Sequence, residues 1–128
     1  MLDLKNNIEP AISLAPAARN ASANGTGIDL QGYESALVIV TCGAITDGTH
    51  TPKVQESDAS GSGYTDVAAG DLIGALAACS ANALQTVGYK GSKRYIRVVM
   101  TIAGATTGAV ASALVARGNE RHKGSQAV

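Results

Sequence analysis

Between residues 94 and 102 the chain alternates without a break. Ile96, Val98, Met100 and Ile102 fall on one side, and Tyr95, Arg97, Val99 and Thr101 fall on the other. A period of two in β-branched and aromatic residues marks a strand with one face in a core and the other face mixed. Gly91 and Ser92 open it and Gly104 closes it. Such a strand needs a second layer over its apolar face, so the rest of the chain must supply one.

The other segments fit that demand. Residues 36–40 are continuously apolar, as in a central strand buried on both faces or against a partner. Asp47 and Gly48 signal a hairpin turn, and residues 51–58 read as the return strand, with Val54 inward and Lys53 and Gln55 outward. Shorter strands are predicted at 28–33 and 64–67, with longer ones at 83–89 and 109–117. Residues 68–78 are rich in alanine and contain Gly70 and Gly74, which suits a loop with one short helical turn capped by Asp71. Short strands about ten residues apart, with turn residues between them, predict an all-β fold: an antiparallel β-sandwich, jelly-roll-like, over residues 28–117.

The two ends read differently. Residues 1–27 hold a short alternating run of Ile8, Ile12 and Leu14, interrupted by Pro10 and Pro16. That pattern predicts an extended N-terminal arm, lying as an edge strand or along a surface. Residues 118–128 form a polar C-terminal tail. Ends of this kind gain order from a neighbour.

Composition limits the core. The chain has 128 residues, enough for one domain, and 45% of them are apolar, yet it has no Phe and no Trp. A core of Val, Ile, Leu and Ala predicts a slim body that takes part of its burial from other molecules. A net charge of zero and a pI near 6.7 argue against a dedicated nucleic-acid binder. The charge is unevenly placed: residues 1–89 hold three basic and nine acidic residues, and residues 90–128 hold seven basic residues and Glu120 alone. Either solvated side chains happen to fall that way, or the subunit is dipolar and docks acidic face to basic face.

No catalytic constellation is visible. His50 and His122 lack metal-type partners and read as solvated. Asp58, Asp66 and Asp71 suit turns and caps, and the calcium-like spacing from Asp58 meets Ala69 where a Glu is needed. No serine sits in a nucleophile elbow. Cys42 reads as a small buried hydrophobe, and its pairing with Cys79 is left open. The expectation is a non-enzyme with no metal or cofactor. The first seven residues have no apolar core of a leader, which points to a reducing compartment, and no run reaches transmembrane length.

Two features fit binding. Lys90, Lys93, Arg94 and Arg97 form a basic cluster interleaved with Tyr89 and Tyr95, of a kind that can hold a nucleic-acid backbone. The plainer reading, favoured here, is a solvated or inter-subunit strand face with Arg97 paired to a carboxylate. The second feature is the pair of extended ends.

The run DGTHTPKVQESD over residues 47–58, then GYTDV over 63–67 and VGYKGSKRYIRVV over 87–99, resembles small virion proteins of tailed bacteriophages. The resemblance spans roughly residues 28–121, and YKGSKRYIR over 89–97 is its most specific part. The QESD turn is also loosely similar to galactose-binding-like jelly rolls, which supports a sandwich more than any sugar site. The phage resemblance implies a capsid decoration (cement) protein on the outer capsid surface, made in the host bacterial cytoplasm. Its implied partners are the major capsid protein and other copies of itself, in a homo-oligomer for which a trimer is one arrangement, with no membrane and no specific nucleic acid. The alternatives are a head–tail connector or tail protein, and a carbohydrate-binding module for host attachment, which the absence of Trp disfavours. The expected contact residues are Ile8, Ile12 and Leu14 of the arm, Lys90, Lys93, Arg94 and Arg97 of the basic cluster, and Arg117, Arg121 and Lys123 near the tail.

Overall fold

The structure is a computed structural model and describes residues 3–120. It is nearly all β, with no α-helix among the described residues. The strands are β1 (Ile8–Arg19), β2 (Ala23–Asn24), β3 (Ile28–Asp29), β4 (Tyr33–Ile45), β5 (Thr49–Ser57), β6 (Thr65–Asp66), β7 (Leu72–Ile73), β8 (Ala83–Tyr89), β9 (Tyr95–Ala103) and β10 (Ala109–Glu120). They make two antiparallel sheets. The first runs β1-β10-β4-β8-β7; the second runs β2-β9-β5-β6, with β3 also paired to β9.

The alternation of β9 holds in three dimensions. Ile96, Val98 and Met100 are fully buried and meet Val38, Val40, Val87 and Val115 of the first sheet in a single core. Each such side chain contributes about 1.5–3 kcal/mol by leaving water. The predicted strand over 83–89 matches β8, and the predicted helical turn is a 3₁₀ turn, Ala69–Asp71, with Ala68 rather than Asp71 at its cap.

Three expectations change. First, the run 36–40 is central but covered on one face only: Ala36, Val38 and Val40 are buried, while Leu37 is 41% exposed. An antiparallel sheet in a two-layer body has one inner face, and period two sends every odd residue of β4 outward. Second, the Asp47–Gly48 turn does not close a hairpin. It carries the chain from the first sheet to the second, where β5 pairs with β9 from Thr49↔Ala103 to Ser57↔Tyr95. The Asp47 carboxylate accepts hydrogen bonds from the N–H groups of Thr106, Thr107 and Gly108, in the other crossing turn.

Third, neither end is loose where it is described. β1 pairs with β10 from Ile8↔Gly118 to Arg19↔Ala109, and β10 continues through Gly118 to Glu120. The arm is an edge strand because its own apolar residues find a place at home: Leu14 is 2% exposed, inside the core. Ser13 is the extra residue of a bulge between Ile12 and Leu14. It turns toward the second sheet, where its hydroxyl donates to the Thr26 carbonyl (2.9 Å) and accepts from the Val98 N–H (3.0 Å).

Candidate assembly face

The two outer surfaces of the sandwich are unlike each other. On the first sheet, the outward positions follow from the register. One row crosses the strands as Pro10, Ala116, Leu37, Gly88 and Ile73, and the next as Ile12, Leu114, Ile39 and Thr86. Beyond them lie Ser112, Thr41 and Leu84, and then Val110 beside Gly43. None of these side chains is charged. Ile12, Ile73, Leu84 and Val110 are 47–64% exposed. The two hydroxyls satisfy one another, Thr41 to Ser112 at 2.6 Å, so the face presents little that needs water.

The second sheet faces outward with a polar network. Arg97 donates twice to Gln55 Oε1, at 2.8 and 3.0 Å, and lies 4.1 Å from the centre of the Tyr64 ring. Gln55 in turn donates to Asp66, which also pairs with Lys53 at 3.1 Å. Hydrogen bonds from Gln55 and then Lys53 hold the Asp66 carboxyl below its usual range.

One end of the sandwich is closed by polar contacts. Tyr89 is buried; its hydroxyl donates to Glu56 (2.8 Å) and accepts from the Lys93 N–H (3.1 Å). Burial, then the neighbouring Glu56, pushes the phenol up. Lys93 pairs with Asp58 at 2.9 Å, and Arg94 grips Asp29 with two nitrogens at 2.9 and 3.0 Å, which lowers the Asp29 carboxyl. An open cleft of about 330 Å³ lies there, between Leu30–Ala36 and Gly91–Arg94. Its cations Lys93 and Arg94 are already committed to ion pairs, so it presents no free acid–base pair drawn from them.

The expected contact residues therefore scatter. Ile8 and Ile12 stand on the uncharged face, and Ile8 pairs at its margin with Gly118. Leu14 does not: it belongs to the chain's own core. Lys93 and Arg94 are spent within the chain, and Arg97 meets an amide and a ring rather than the expected carboxylate. Lys90 is exposed beside them, its N–H bonded to the Asp71 carbonyl. Arg117 donates to the backbone carbonyls of Glu9 and Asp29 and lies over Tyr33. Arg121 and Lys123, like His122, lie outside the described residues. The acidic and basic halves of the sequence thus meet inside one molecule. His50 is not solvated but 2% exposed, its Nε2 2.9 Å from the Asp47 carbonyl oxygen.

Cys42 and Cys79 are free thiols in contact, and burial followed by the Cys42 neighbour pushes the Cys79 thiol up to about 12. Among the described residues no group of three His, Cys, Asp or Glu side chains is placed to hold a metal. Sequence reasoning missed Leu37, Ile39, Ile73 and Leu84 as surface groups. For Leu37 and Ile39 the signal is the double-sided apolar run 36–40, which fits burial on both faces or against a partner; Ile73 and Leu84 have no such signal. No protein-family model, curated protein or solved structure matches the chain.

Proposed function

We propose that the chain is a structural, non-enzymatic subunit of a tailed-phage virion, of the decoration type that reinforces the capsid by bridging its subunits. One observation carries the assembly role: the uncharged outer face of the first sheet, with five large apolar side chains open to solvent. Soluble monomers rarely leave a contiguous apolar surface of this kind uncovered, and such surfaces mark contacts with other molecules. The virion setting rests on the resemblance across residues 47–67 and 87–99. A jelly-roll-like reading of the fold draws support from the pairing of the first long strand with the last and from the turns that cross between the sheets.

The test is co-purification. Wild-type chain and a Leu37→Lys, Leu84→Lys double variant are expressed with the capsid genes, and their copies per capsid subunit are measured on purified particles. The expected result is fixed stoichiometric occupancy for the wild type and at least tenfold less for the variant, which is about 1.4 kcal/mol of contact or more. Particles free of the wild-type chain would overturn the proposal.

A further inference from the structure

We infer that the partner of the uncharged face is the same face of a second copy, packed sheet to sheet about a two-fold axis. The inference rests on reading that face as an assembly surface, and it names what covers it.

Charge makes the first part of the case. A surface that selects a different protein usually carries charges that meet opposite charges and repel the wrong partner. Here the outward positions of the patch, from Pro10, Ala116, Leu37, Gly88 and Ile73 to Val110, supply no such code, and the charged residue in the same register, Glu120, stands at the end of the β10–β4 ladder beyond Gly118. The same lack removes the usual obstacle to self-pairing, because no charge within the patch can repel its twin. The ion pair Lys53–Asp66 lies on the opposite sheet, and Lys93–Asp58 and Arg94–Asp29 lie at the sandwich end, each satisfied within one copy.

Relief and size make the second part. Large groups such as Ile12, Ile39 and Leu84 stand beside Gly43, Gly88 and Ala116, so ridges and hollows alternate as sheets packed about 10 Å apart require. The ladders joining β1, β10 and β4 run for nine and ten pairs, and β8 adds seven and β7 two, which gives a face of roughly 15 Å by 30 Å. Counted over both partners, with side-chain relief, that reaches the roughly 1,000 Å² total that a biological interface needs. A two-fold axis uses one patch twice, whereas a ring of three needs two different patches, and among the described residues the two sheets present one such face.

The pairing also fits bridging. Two copies joined back to back turn two identical polar sheets outward, so one unit can grip two lattice sites, and the second contact becomes effectively intramolecular.

Sedimentation velocity and light scattering on the purified full chain, from about 1 to about 100 µM, decide the matter. The expected mass is twice 12.8 kDa. Leu84→Lys, at a position already 61% exposed, should raise the dissociation constant at least tenfold with an unchanged far-ultraviolet spectrum. Ile39→Lys should do the same from the centre of the face, and Thr51→Lys on the polar sheet should leave the mass unaltered. A single species of 12.8 kDa or a trimer at about 100 µM, or a dimer that neither face variant weakens, overturns the inference. A monomer that still occupies particles would sink the pairing and leave the virion role standing.

Discussion

Ser13 shows how much one hydroxyl can do when a chain has few large side chains to spend. It lies 3% exposed at a bulge and joins the two sheets by donating to Thr26 and accepting from Val98. Replacing it by Ala leaves the buried Val98 N–H without its partner, so S13A should lose about 1–3 kcal/mol in urea unfolding. Asp47 acts at the opposite end of the body, tying the two crossing turns. Hydrogen bonds from the N–H groups of Gly108, then Thr106, hold its carboxyl below its usual range. A depressed folded value means stability that is present above the unfolded value and lost as pH falls through the folded one. Wild-type unfolding midpoints should therefore decline below about pH 4. D47N should start lower at pH 7 and show a shallower acid decline. A variant with the wild-type acid slope would show that the carboxylate does not clamp the turns.

At the level of elements, β9 and β8 were legible because their alternation and their turns agree. β1 was half legible. Its prolines are edge signals, as the structure shows, but nothing in the local sequence says that Leu14 pairs with Ala113 near the other end of the chain. β4 misled in a different way: a continuously apolar run is the same text whether its second face is covered by its own chain or by another. The Asp-Gly turn after it told of a reversal and not of a change of sheet, because turn chemistry fixes the local bend only. The placement of β1 has a measurable outcome. Deleting residues 1–15 removes Ser13 and Leu14 and uncovers β10, and losing Leu14 alone is worth about 2–5 kcal/mol. The truncated chain should melt at a markedly lower temperature than the full chain. An unchanged melt would mean that β1 is an accessory.

The whole molecule is a body with one wet side and one dry side. The even formal charge and the segregated charge of the sequence both follow from that: acidic residues of the first two thirds and basic residues of the last third meet as Asp58 with Lys93 and Asp29 with Arg94. The basic cluster was therefore visible from the sequence, but its use was not, because its carboxylate partners are 35 and 65 residues away along the chain. The virion role predicts fixed stoichiometry on particles. The paired faces predict a dimer in their absence.

Pro10 and Pro16 sit on β1, at the margin of the dry sheet. Each lacks the amide hydrogen that a further strand would need for register, so the margin is a poor template for growth. A molecule that pairs by its flat side, as inferred above, and is blunted along that margin stops at a finite stack instead of spinning out into ribbons as its concentration rises.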